Sequence, residues 1–342
     1  MKRTGRKLLV LLLVLMLLLT AGCGKDGDSP KELPTSDGFT NDVVMKIGTS
    51  EVSYKEANIY LMSMREEVEA LYGSDIWDYV FTRDEITYSE LMKQQLLEKI
   101  EYIKLVCYMA DEFGVALEAD DILNVNEYTQ KYMANLTEET AKKYGITEEL
   151  IRGIYQDNVL ARKIYETITL NADTSYTVED YLTADFEYLY ISRYYEDSEG
   201  NVITIEGDEY EALREKAEKL RSTAEEERNA ALSEEDGSYD FFDFAKDNSD
   251  ASTVELTAKR EDLPEASRDA AFNLADGELS QVIAEEDGFY IYYCVSSYDE
   301  SASQEAEEAL INAQAEEYFE DLYGKWKENV DIEVNEALWA AM

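Results

Sequence analysis

Ala271-Phe272-Asn273-Leu274-Ala275-Asp276-Gly277-Glu278-Leu279-Ser280, followed after a short gap by Gly288-Phe289-Tyr290-Ile291-Tyr292-Tyr293-Cys294-Val295, is the stretch around which the rest of the chain can be organised. Asp276 to Ser280 reads as a tight turn, because Gly277 tolerates a backbone that other residues resist. Residues 288–295 are rich in aromatic and β-branched side chains and read as a strand. Upstream, Phe186-Glu187-Tyr188-Leu189-Tyr190-Ile191 alternates in the same way and supplies a partner strand. Between the two lie a charged helix over about 208–230 and a short helix holding Phe241, Phe242, Phe244 and Ala245. A β-α-α-β order at this spacing predicts a compact α+β unit over 181–300.

The flanks follow another period. Val43 to Gly48 and Glu51 to Ser53 predict two short strands around a turn. Ser53 then caps a helix whose apolar face is Ala57, Tyr60, Leu61, Met64, Val68 and Leu71. A longer helix is expected over about 89–113, and further helical segments start at Asp120 and Thr147, the second ending near Thr169. After the α+β unit, residues 303–329 carry Ile311, Ala315, Tyr318, Leu322 and Trp326 on one helical face. Asp331-Ile332-Glu333-Val334 reads as a closing strand.

The composition narrows the function. The 342 residues are long enough for two domains, and 45% are hydrophobic, so the chain can build a core. It holds 76 Asp+Glu against 31 Lys+Arg, a net charge of −45. Such a chain repels phosphates, which argues against nucleic-acid partners. No Asp/Glu spacing matches a calcium loop. Histidine is absent, which removes His-based acid–base chemistry, His-containing triads and nearly all zinc sites. No metal or organic cofactor is implied. Of three cysteines, Cys107 and Cys294 lie far apart in apolar stretches; they read as buried free thiols, with a disulfide as the alternative.

Cys23 belongs to the N-terminal address. Lys2, Arg3, Arg6 and Lys7 form a basic start, and residues 8–19 are an unbroken apolar run, short for a permanent span but suited to a signal-peptide core. The run ends in Leu19-Thr20-Ala21-Gly22-Cys23, which looks like a bacterial lipobox with Cys23 as the acylated residue. The expected order is then a signal peptide at 1–22, a Gly/Pro/Ser/Asp-rich tether at 23–41, and a folded body tied by lipid to the outer face of the cytoplasmic membrane.

Val-Val-x-x-Ile-Gly-x-x-Glu-Val-Ser at 43–53 resembles the start of the SurA/PrsA N-terminal domain. The block 271–280 with Gly288-Phe289-Tyr290-Ile291 is similar to the parvulin (PpiC-type) signature. Lipobox, helical region, parvulin-like block and terminal helix come in the order of PrsA-type foldases, and the resemblance covers about 43–334. It implies an α+β protein: a mainly helical SurA-N-like chaperone domain built from 42–180 and 301–342, with a parvulin-like domain at 181–300 inserted between. It also implies unfolded or folding exported polypeptides as partners, and it is compatible with a homodimer.

Prolyl isomerisation has to lower an amide barrier of ~18–20 kcal/mol by seating proline in an apolar cup and stabilising the twisted amide with donors. Parvulins resemble one another in using two histidines, a Cys or Asp, a Met/Leu and a Phe. Here the resemblance places Tyr188 and Tyr290 at the histidine positions, Ala251 at the Cys/Asp position, Leu263 at the Met/Leu position and Ser267 at the Phe position. Only Leu263 keeps the character of its position, which implies a weak or inactive isomerase. Tyr188 and Tyr290 can serve as hydroxyl donors, or they can pack and satisfy each other. Phe272 is expected in the core. Three functions follow: a membrane-anchored chaperone or foldase, a divergent prolyl isomerase using Tyr188 and Tyr290, or a ligand-binding or structural envelope lipoprotein.

Overall fold

The computed structural model describes residues 33–80, 86–234 and 237–342. The expected signal peptide, Cys23 and the tether up to residue 32 lie outside the described residues. The chain divides into two compact units, one formed by the N-terminal part up to Ala172 together with Ala315–Met342, the other by Asp173–Gln314.

The first unit opens with strands β1 (Val43–Ile47) and β2 (Ser50–Ser53), paired antiparallel. Helix α1 (Tyr54–Tyr72) follows at once, because the Ser53 hydroxyl accepts the Glu56 N–H at 3.1 Å and satisfies an otherwise orphan donor. Helix α2 (Tyr88–Tyr108) starts in a capping box formed by Thr87 and Glu90. It stops five residues short of the expected end at 113. Met109 to Gly114 turn instead, which keeps Asp111 and Glu112 from extending the negative end of the helix dipole. Helices α3 (Ala119–Asn135), α4 (Glu138–Tyr144) and α5 (Glu148–Leu170) complete this part, with α5 packed against both α2 and α3. Ala57, Tyr60 and Val68 are buried as the helical period requires, but Leu71 in the last turn of α1 is 75% exposed, outside the expected apolar face.

The second unit begins with the single turn α6 (Val178–Tyr181) and the long strand β3 (Thr183–Ser192). A small hairpin of β4 (Tyr194–Glu196) and β5 (Val202–Thr204) leads to α7 (Asp208–Ala231) and α8 (Phe241–Asn248). Then come β6 (Glu255–Lys259), α9 (Glu265–Phe272), β7 (Ile283–Ala284) and β8 (Gly288–Ser296). The sheet order is β6-β3-β8-β7, antiparallel throughout. β3 and β8 pair from Asp185↔Ser296 to Ser192↔Gly288. Gly288 cannot be replaced there, since a Cβ would lie 2.1 Å from the Ile191 carbonyl oxygen. Gly277 takes φ +79° in the turn, and its N–H donates to the Cys294 carbonyl at 2.7 Å.

Period-2 alternation gives the sheet two covered faces. Leu189, Ile191, Phe289 and Ile291 pack with Ala217 and Ala224 of α7 and with Phe241 and Ala245 of α8. Phe186, Tyr292 and Cys294 form a second cluster with Ala258, Leu263 and Ala271. Phe272 joins that second cluster, its ring edge-on to Phe186 at 5.3 Å. Cys107 is half-buried and Cys294 buried, both as free thiols.

Helix α10 (Glu300–Asn329) contributes its second half to the first unit, where Phe319 packs edge-on to Tyr165 at 4.8 Å and Trp326 against Phe113 at 5.6 Å. Strand β9 (Ile332–Val334) then pairs with β1, Met45↔Val334 to Ile47↔Ile332, and α11 (Glu336–Ala341) seats Leu338 and Trp339 in the core. The described N-terminal and C-terminal parts therefore build one helical body. The protein is α+β, with a four-stranded mixed unit inserted between them.

Candidate functional site

Because β3 and β8 pair with Tyr188 opposite Tyr292 and Tyr190 opposite Tyr290, one face of the sheet carries a two-by-two array of tyrosines. Ring centroids lie 6.1 Å apart for Tyr188–Tyr292, 4.8 Å for Tyr190–Tyr290 and 6.3 Å for the diagonal Tyr188–Tyr290. Tyr290 and Tyr292 stack at 5.9 Å with planes only 8° apart. These rings line a cleft of about 360 Å³ together with Ala251, Ser252, Leu256, Asp262, Leu263 and Pro264.

The segment 249–251 is held along β3. Ser249 Oγ accepts the Tyr190 N–H at 2.9 Å, the Asp250 N–H donates to the Tyr190 carbonyl at 2.8 Å, and Asp250 Oδ2 accepts the Ser192 N–H. That docking brings Ala251 to the tyrosine face. Leu263, at the start of the approach to α9, is 3% exposed. The turn at 276–280 is pinned from the other side of the unit by α7: Arg228 Nε donates to the Gly277 carbonyl, and Arg221 Nε to the Ser280 carbonyl.

Of the five positions singled out in the sequence, Tyr188, Ala251, Leu263 and Tyr290 meet at this cleft. Ser267 does not line it. It is fully buried, and both its N–H and its hydroxyl donate to Glu285 Oε1, at 2.9 and 2.8 Å. The sequence comparison placed Ser267 in the cup, but the need to satisfy a buried hydroxyl draws it to Glu285 behind the wall. Tyr190, Tyr292, Asp287 and Asp262 were not singled out. The alternating tyrosines at 188/190 and 290/292 were the available signal for the first two; Asp287 and Asp262 reach the site only through the turns that precede β8 and α9.

Hydroxyl bookkeeping limits what the cleft can do. The Tyr190 hydroxyl donates to the Asp287 carbonyl and the Tyr290 hydroxyl to Asp287 Oδ2, both at 2.8 Å. The Tyr292 hydroxyl bonds Ser267, whose own proton goes to Glu285. Burial and the Asp287 carboxylate hold the Tyr290 phenol far above its usual range, and burial pushes Tyr292 up to about 12. Tyr188 and Tyr290 thus touch through their rings without satisfying each other, and the hydroxyl of Tyr188 alone of the four makes no hydrogen bond to the described residues.

The helical unit carries a different surface. Leu71, Tyr72, Tyr79 and Val80, all more than half exposed, lie within ten residues at the end of α1 and the turn after it, and the Trp77 ring there lies tilted at 54° to Tyr88, 5.8 Å between centroids. Ile122, Leu123 and Tyr128 are exposed on α3. Among the described residues no group of His, Cys, Asp or Glu is placed to hold a metal ion, and no helix is long and apolar enough to cross a membrane.

No protein-family model and no curated protein matches the chain. Among solved structures it is similar to the PrsA peptidylprolyl isomerase of Bacillus cereus, at 16% identity and a TM-score of 0.36 over 78% of this chain and 96% of that one. It is similar to the foldase PrsA of Lactococcus lactis, at 13% identity and a TM-score of 0.35 over 87% and 97%. A SurA-like chaperone of Campylobacter jejuni matches at 13% identity and 0.28 over 85% and 98%. At these values no activity, client or location passes from those proteins to this one; the α+β architecture stands on the strand pairing and element order themselves.

Proposed function

We propose that this chain is an extracytoplasmic chaperone or foldase, held to a membrane by lipid on Cys23, whose inserted parvulin-like unit binds polypeptide without isomerising proline efficiently. The helical body shelters unfolded exported chains, and the inserted unit presents the tyrosine cleft. The observation that carries this reading is the exposure of the apolar side chains Leu71, Tyr72 and Val80 on a chain of net charge −45. Clustered apolar exposure is what a binder of unfolded segments needs, and dense like charge keeps the complexes dispersed.

The weak-isomerase part rests on the hydroxyls. A phenol has one proton to donate; those of Tyr190 and Tyr290 are already given to Asp287, and the Tyr292 hydroxyl is engaged with Ser267. Tyr188 remains, and its unpartnered hydroxyl favours the second reading, a divergent isomerase with a single phenol donor. One pair of assays on the purified protein separates these. Suppression of aggregation of a chemically unfolded client, together with a protease-coupled proline-peptide rate at background, is the expected result. A rate well above background that Tyr188→Phe abolishes would establish the enzyme instead, and failure to suppress aggregation of any client would remove the chaperone.

A further inference from the structure

The tyrosine cleft has a chemical bias that a proline cup does not require. Its wall carries the Asp262 carboxylate and no lysine or arginine. The basic residues nearest to it in the chain have first partners of their own: Lys259 Nζ pairs with Glu261 at 2.6 Å and feels Asp262 only as a further charge, Arg260 pairs with Asp269, and Arg268 Nε donates to the Leu263 carbonyl at 2.9 Å. Asp262 accepts the Lys259 backbone N–H through Oδ2 at 2.9 Å, which orients the carboxylate and leaves Oδ1 outside any hydrogen bond to the described residues.

The rings themselves are polarised in the same sense. Tyr290 donates to the Asp287 carboxylate, and Tyr292 bonds Ser267, which is tied to the Glu285 carboxylate. A phenol that donates to an anion, as Tyr290 does, gains electron density, and its ring face becomes a better seat for a cation. Asp287 and Glu285 add negative potential behind those rings, on a chain already carrying −45. About 360 Å³ lies at the lower end of small-ligand pockets.

We propose that this cleft binds the cationic side chain, arginine or lysine, of an extended polypeptide segment, stacked among Tyr188, Tyr290 and Tyr292 with its charge facing Asp262. Aromatic faces supply attraction to the spread charge and the apolar stem, and the free carboxylate oxygen supplies the counter-charge. The assignment stands whether or not the helical unit shelters clients.

Fluorescence anisotropy on the whole chain tests it, with a labelled, otherwise neutral extended peptide carrying one arginine, its citrulline counterpart, and a proline peptide without a basic residue. The arginine peptide is expected to bind about tenfold more tightly than the citrulline peptide, the size of one cation–π contact with a partial counter-charge. Asp262→Asn, which keeps an oxygen for the Lys259 N–H and so keeps the fold, and Tyr188→Leu should each remove most of that preference. Equal binding of the citrulline or proline peptide overturns the proposal, as does no measurable binding of the arginine peptide. An arginine preference that survives both substitutions places the contact on the general acidic surface and overturns it too.

Discussion

Glu187 sits on β3 between Phe186 and Tyr188, on the face opposite the tyrosine cleft. Its Oε2 is buried without a hydrogen-bond partner, and Asp240 and Glu255 add negative charge beside it. Burial first, then those two carboxylates, push its carboxyl up to about 7, against an accepted hydrogen bond from the Phe241 N–H. The folded state therefore holds this proton more tightly than the unfolded chain, whose value is near 4.5. The stabilisation is complete below the unfolded value and is lost as pH rises through about 7. With allowance for solvent screening of a half-exposed group, the loss is roughly 1 kcal/mol. Thermal melts from pH 5 to pH 8 should fall more steeply for the native chain than for Glu187→Gln; parallel curves would show that Glu187 is not strained. The cleft tyrosines were partly legible from alternation alone. Glu187 was not, because an acidic residue on an alternating strand reads as solvent-facing until α8 is known to cover it.

Strand β8 and its partner β3 could be read from the sequence because both lie in the middle of the sheet and bury alternate side chains. β6 escaped for the opposite reason. It is an edge strand, Glu255-Leu256-Thr257-Ala258-Lys259, in which Ala258 alone is fully buried and both ends are charged. The closing elements β9 and α11 depend on a junction no pattern announces. Asn335 is fully buried between them; its Oδ1 accepts the Ser36 and Leu338 N–H groups at 2.8 and 3.3 Å, and its Nδ2 donates to the Val43 carbonyl at 2.9 Å. Its backbone N–H donates to the Val44 carbonyl. Asn335→Ala leaves several of these groups unsatisfied in the core and should cost about 3 kcal/mol, read as a lowered denaturant midpoint of the helical unit. A cost within about 0.5 kcal/mol, the range of ordinary surface changes, would mean that β9 and α11 hold without this side chain.

Across the molecule, acidic side chains outnumber basic ones by 76 to 31, and many of the ion pairs among the described residues are exposed i,i+4 contacts of small worth. Self-repulsion on that scale weakens any compact state and is relieved by counter-ions. Raising salt from about 10 to about 150 mM, where the screening length falls to near 8 Å, should raise the thermal midpoint by several degrees; a flat response would show the charges already well spaced. Composition, charge and the two hydrophobic periods were enough to establish an acidic α+β chain with a mixed unit between helical flanks, because those signals are local and repeat along the backbone. The pairing of β1 with β9, the burial of Ser267 behind the wall and the commitment of three phenols to Asp287 and Ser267 came only with the folded chain. Each joins residues distant in sequence or turned by a loop, and whether a hydroxyl is free or spent depends on the neighbour that packing brings to it.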